Sequence, residues 1–166
     1  MEHRYLKIAL TLSVALLALL YVAHNIVNWS SATGAIGYVL SQQDHQAYPA
    51  SLLPPIVSPA VHAIVTGIIC VGEVIAGAVS LIGAWRLWSA RKADIVAFAA
   101  AKRLAVIGTG IAALVWFLFA VFGGALFQMW QTEVGAASLE SAWQFSGLSF
   151  LTLLYLTLPY GEAREA

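Results

Sequence analysis

Charge is what this chain has least of. Only 10% of its 166 residues are Asp, Glu, Lys or Arg, eight acidic and eight basic, whereas 61% are hydrophobic. A soluble domain of this size carries roughly 25% charged and about 45–50% apolar residues, so the balance excludes an ordinary water-soluble fold and points to an integral membrane protein. A single cysteine, Cys70, excludes a disulfide framework and a thiolate metal cluster. Set in an apolar run, it reads as a small packing residue. A basic excess is also missing, the net charge being zero, so nothing supplies an electrostatic footprint for nucleic acid.

Four runs can cross roughly 30 Å of hydrocarbon, which takes about 20 helical residues each: 8–27, 60–85, 104–127 and 143–160. Lipid offers backbone groups no partner, so these runs must be helical. The expected fold is an all-α membrane protein, one domain built as a four-transmembrane-helix bundle, with outside loops 28–59 and 128–142. Those two loops contain no Lys or Arg. Arg4 and Lys7 precede the first run, Arg86, Arg91, Lys92, Lys102 and Arg103 separate the second from the third, and Arg164 follows the fourth. The positive-inside bias then predicts that both termini are cytoplasmic, with the basic residues acting as topology anchors. The first run has the basic start of a signal peptide, but cleavage after Ala23 would place bulky Tyr21 where a small residue is needed. It is expected to remain as a span.

The first outside loop is long for so small a chain, and "GAIGYVL" at 34–40 predicts a short interfacial helix or a re-entrant turn. Prolines at 49, 54, 55 and 59 predict extended backbone before the second span, with Pro59 suited to its first turn. The middle segment 86–103 predicts cytoplasmic helical extensions, solvated, with Asp94 near the start of the second arm. Trp29, Tyr38, Trp130 and Trp143 fit an outer aromatic belt, and Tyr5, Trp85, Trp88 and Tyr160 an inner one. No internal repeat suggests inverted-repeat transport architecture.

Membrane helices associate through small residues that let backbones approach. The second run has Gly72, Ala76, Ser80 and Ala84 at four-residue spacing; the third has Ala97, Ala101, Ala105, Thr109 and Ala113. Joined by a short segment, these ridges are expected to face each other, the alternative being that one faces another polypeptide. Beside the first ridge stands Glu73, twelve residues before Trp85, at membrane depth. An acid there costs about 2.5–3.5 kcal/mol on insertion scales, so it must face protein or water. The carboxyl is expected to be protonated and to donate a hydrogen bond, with Trp116, Thr109, Ser149 and Thr152 as available partners. Its roles divide into a clamp of helix register, a proton-carrying or ligand-binding group, and a contact to another subunit.

His24 ends the first span and His62 begins the second. Two imidazoles at similar depth are the ligand set of a b-type haem, although the sequence otherwise reads as having no cofactor, and these side chains as interfacial polar groups. His45, beside Asp44, and His3 read as solvated. No spacing specific to a metal site is present.

At "VLSQQD" (39–44), Glu73, "AKRLAVIGTG" (101–110) and "FGGALFQMWQ" (122–131), the chain resembles the bacterial predicted small integral membrane proteins catalogued as domain of unknown function 2165. The resemblance spans nearly the whole chain and implies a four-span protein of the bacterial inner membrane, with no assigned activity or cofactor. It marks Asn28, Asp44, Glu73, Lys102, Gly123, Gly124, Trp130 and Gln131. The chain departs from that pattern at Gln43, where the family has methionine, and at Ala125 and Leu126, where it has an acid and a tryptophan.

With no nucleophile, base and orienting group in one constellation and no phosphate loop, catalysis is not expected. The leading expectation is an accessory subunit that docks on a larger membrane protein through its small-residue faces, including Gly123 and Gly124, and its outer loops. The competing one is a lipid- or quinone-binding or proton-coupled protein using Glu73. A haem anchor is third.

Overall fold

The computed structural model describes residues 2–158. Its helices are α1 (Glu2–Val27), α2 (Trp29–Leu40), α3 (Pro59–Ser89), α4 (Ile95–Ala101), α5 (Arg103–Phe119) and α6 (Glu133–Thr157). A π-helical turn, Ala120–Leu126, extends α5, and a 3-10 turn, Met129–Gln131, leads into α6. Among the described residues there is no strand. Tyr160 and Arg164, expected at the inner belt and after the fourth span, lie outside the described residues.

Three stretches are long and apolar enough to cross a membrane: Glu2–Val27, Pro59–Ser89 and Ile95–Leu126. The run expected as the fourth span, 143–160, coincides with α6 as far as Thr157, but this helix of 25 residues does not join that group. The reason is its inner face: Ser146, Ser149 and Thr152 are buried, whereas Leu148, Phe150, Leu151 and Leu154 point outward. Its polarity is turned toward the bundle, and averaging along the sequence hides that arrangement.

The packing order is α1 on α3, α3 on α5 and α5 on α6, while α1 and α6 touch only sparsely. The small ridges of α3 and α5 meet each other. A Cβ on Gly83 would collide with the Ala105 backbone, and one on Gly108 with that of Ser80, so the two helices are in backbone contact there. Ser146 Oγ, donating to the Ala113 carbonyl at 3.0 Å, ties α6 to α5.

The end of the bundle that holds Glu2, the α3–α5 connection and Thr157 is closed by side chains. Phe98 of α4 is fully buried with Ile8, Leu87, Ala105 and Leu156. Asp94 caps α4 by accepting from the Ala97 N–H at 2.8 Å. Thus 86–103 is not simply a solvated pair of helix extensions: α3 stops at Ser89, and the separate α4 puts an aromatic plug into the core. Arg4 donates to the carbonyls of Arg91 and Ala93 and lies 4.8 Å from the Phe98 ring centroid. Lys7 donates to the Leu158 carbonyl at 3.3 Å. These cations satisfy carbonyls at helix ends.

At the opposite end, Asn28 alone separates α1 from α2. The helix expected at 34–40 is longer, spanning Trp29–Leu40, and it continues the course of α1 beside α3. Trp29 lies by Gly67 and Gly37 by His62, an antiparallel register like that of α1 on α3. The third run does not remain α-helical to 127. At Gly123 and Gly124 it widens into the π turn, because Met129 and Leu139 occupy the space where their Cβ atoms would be.

Candidate functional site

Glu73 is 2% exposed, on the face of α3 turned toward α1. Asn25 reaches it: Nδ2 donates to Glu73 Oε2 at 3.1 Å. The expected partners are therefore corrected. One oxygen of the carboxyl, Oε2, accepts, and its donor comes from α1. Thr152 turns back to the Leu148 carbonyl at 2.9 Å. Thr109 and Ser149 are buried, and their hydroxyls have no hydrogen bond in the described structure. Of the four residues, only Trp116 comes to the same place as Glu73.

That place is a cavity of about 300 Å³ where the bundle fails to close between α1 and α6. Glu73, Asn25 and Thr66 line it from α3 and α1, Ser138 and Ser141 from α6, and Ala32, Ala35 and Ile36 from α2. Four rings complete it, Phe119 of α5 among them. Tyr21 of α1 stands 4.7 Å from Phe145 of α6, and Trp116 of α5 stands 5.4 Å from Phe145 and 6.4 Å from Tyr21. No Lys, Arg or His belongs to its wall. A second cavity of about 480 Å³, walled by aliphatic and Phe side chains of α2, α3, α5 and the π turn, shares Ile36, Ile69, Val115 and Phe119 with it.

The other marked residues do not converge on one site. Gly72 faces Val115, Ala76 and Ser80 are fully buried in the α3 packing face, and Ala105 abuts Gly83. Gly123 and Gly124 meet Met129 and Leu139, so each small face is occupied by this chain. Lys102 caps the turn between α4 and α5. Trp130 and Gln131 do act together, on Tyr48. Gln131 Oε1 accepts from the Tyr48 N–H at 2.7 Å and Nε2 donates to its carbonyl at 3.2 Å, while the Tyr48 and Trp130 rings lie 5.4 Å apart. This clamp fastens segment 41–58 to the start of α6. Asn28 instead donates to the His24 carbonyl at 3.0 Å. Asp44 accepts from the Tyr38 hydroxyl at 3.0 Å, and this hydrogen bond to a carboxylate pushes the Tyr38 phenol above its ordinary value.

His24 and His62 are not brought together. Asn25 lies against Glu73, and His62 is eleven residues farther along α3, roughly 16 Å along the axis. His62 Nε2 lies 2.8 Å from the Ile56 carbonyl and its ring packs on Gly37, while His24 is exposed. The bis-imidazole pair expected for haem is therefore not formed. Among the described residues no group of three or more His, Cys, Asp or Glu side chains is placed to hold a metal ion.

Sequence reasoning missed Asn25 and Tyr48. Asn25 carried a signal: it continues the stripe Val14, Ala18, Val22, all buried, at helical spacing. An amide on the packed face of an apolar helix must find a partner. Tyr48 is held through its backbone, which leaves no trace in side-chain pattern.

Long apolar helices, inward-facing hydroxyls and a carboxylate buried at membrane depth together define a helical integral membrane protein. The chain belongs to the family described as predicted small integral membrane protein, DUF2165, whose model matches residues 3–159. No curated protein and no solved structure matches it.

Proposed function

We propose that this protein binds a small amphiphilic molecule in the cavity between α1 and α6, with Glu73 as its polar anchor. The observation that supports this is a buried carboxylate lining an open space rather than a packed interface. A register clamp needs no cavity, and a cavity of about 300 Å³ is at the lower end of small-ligand sites. The bound molecule is retained, not transformed: the cavity wall offers a carboxylate, an amide and hydroxyls, without an activated nucleophile.

In this reading α6 is the fourth crossing, because it packs along α5 with its apolar side outward. The basic end faces the cytoplasm of a bacterial inner membrane, so the cavity opens toward the outside. The accessory-subunit reading drew on small faces available to a partner. With Gly72, Ala76, Ser80, Ala105, Gly123 and Gly124 engaged inside the chain, it keeps fewer supports.

The test is mass spectrometry of the protein extracted with its surrounding lipid. A small molecule retained by the wild type and depleted in Glu73→Gln is the expected result. Equal retention by both proteins, or none by either, rejects the reading. A stoichiometric larger protein in the same extract would restore the accessory role.

A further inference from the structure

The strongest chemistry in this chain is the coincidence of one buried carboxylate with four aromatic rings on a single cavity. We propose that the ligand is an organic ammonium ion carried on an apolar group, an inference that rests on the binding role given above to the Glu73 cavity. The Glu73 carboxylate is 2% exposed, its hydrogen bond comes from the uncharged Asn25, and no cationic side chain shares the wall. Such a carboxylate takes its countercharge from a proton or from the ligand. Tyr21, Trp116 and Phe145 line the same space, and ring faces attract an alkylated ammonium, most strongly once it is desolvated.

Other ligand classes fit less well. A divalent metal ion needs about six oxygen donors, and indole and phenyl rings are not among them. An anion would meet the carboxylate. A quinone carries no positive charge and leaves an ionised Glu73 without a counterion. The adjoining apolar cavity of about 480 Å³ receives the nonpolar part of the same molecule, since the two spaces share four residues.

Because one carboxyl holds either a proton or the cation, binding to the protonated form releases one proton for each ammonium taken up. The titratable neighbours are few. Tyr21 faces the cavity from α1 and Cys70 lies one turn before Glu73 on α3, while the wall residues of α2, α5 and α6 contribute none. Over the acid range the linked proton therefore belongs to Glu73, and affinity for the cation falls as pH is lowered.

The experiment is calorimetric titration of the full chain in phosphatidylglycerol nanodiscs with benzyltrimethylammonium and with its neutral carbon isostere neopentylbenzene, empty discs being subtracted. The wild type is expected to prefer the cation by about tenfold or more, the scale of one charge-assisted contact together with cation–π attraction. Glu73→Gln should remove that preference while its thermal unfolding stays close to wild type, since the amide oxygen still accepts from Asn25. Phe145→Leu should weaken the cation several-fold and leave the isostere unchanged. Equal affinity for both probes, unaltered by Glu73→Gln, overturns the ammonium assignment and leaves the binding role standing. If neither probe binds and no molecule is retained on extraction, both ideas fall. Adding phosphatidylethanolamine to the discs separates the natural sources: competition with the probe identifies a lipid headgroup, and no competition a free amine.

Discussion

The two ends of this bundle are built on opposite principles. Toward the termini, α3 and α5 are in backbone contact at Gly83–Ala105 and Gly108–Ser80, Phe98 plugs the core, and Arg4 and Lys7 hold carbonyls at helix ends. Toward the other end, α1 parts from α6, two cavities open, and the polar contacts use no charged donor: Asn25 on Glu73, Gln131 on Tyr48 and Tyr38 on Asp44. Close packing and charged hydrogen bonds give one end its rigidity. The other end keeps a binding space open because its bonds tie segments together around that space rather than filling it.

The contrast breaks most severely at the backbone contact. Gly83→Leu drives a branched side chain into the Ala105 backbone, which has no flexible group to yield. Overpacking of this kind costs about 3 kcal/mol or more, so the variant should lose its cooperative unfolding transition in detergent. Gly147→Ala is the matched control. Nothing lies within 4 Å of the added methyl, and unfolding should stay within about 0.5 kcal/mol of wild type.

Next in size is the loss of a cationic cap. Lys7 is 2% exposed, donates to the Leu158 carbonyl and lies 5.9 Å from the Tyr155 ring centroid. Lys7→Met keeps the apolar stem and removes those donors, at about 1.5–3 kcal/mol for a charged hydrogen bond left unmade. Hydrogen exchange should rise at the ends of α1 and α6 nearest the termini and stay unchanged around Tyr48.

The converse change is Gln131→Leu, which releases both backbone groups of Tyr48 to water. The cost is smaller, about 1 kcal/mol, because these neutral bonds are exposed. Protection should drop in 41–58 and at the start of α6, with none of the loss seen near Lys7. If both substitutions loosen the whole molecule equally, the division into two ends is wrong.

Much of the rigid end was legible in the sequence, since small residues at four-residue spacing and basic clusters are local patterns with one physical solution in lipid. The opposed ridges at Ala76, Ser80 and Ala105 are of that kind. Glu73 was equally visible, because a carboxylate inside an apolar run has few excuses. Its partner was not: choosing Asn25 over Trp116 or Thr109 requires the register of α1 on α3, and register depends on where α1 begins to diverge from α6. The clamp on Tyr48 and the placement of α2 as a prolongation of α1 lie farther from the sequence still. They depend on backbone groups and on the single kink at Asn28, and neither has a periodic signature. The histidine pair failed for the same reason, because adjacency to span ends says nothing of how far α3 overshoots α1.

The smallest expected effect is a test of the loosely packed end at the link between α2 and the segment that follows it. Tyr38 donates to Asp44, whose residue sits at φ 61, in the left-handed region that non-glycine residues rarely adopt. The carboxylate favours the neutral phenol, so the Tyr38 pKa is raised in the folded protein. A raised value means that the contribution to stability is fully present below the unfolded phenol pKa and is lost as pH climbs through the folded one. With tyrosine labelled at Cζ with carbon-13, the Tyr38 resonance should titrate above the ordinary phenol range, and Asp44→Asn should bring it back. Because this ring is only half-buried and its bond joins neighbouring residues, global unfolding should scarcely respond. A large loss of stability in Asp44→Asn would show that the Tyr38–Asp44 bond supports the cavity wall at Ile36 and Val39, its near neighbours on α2, and that the open end is more tightly coupled than its few polar contacts imply.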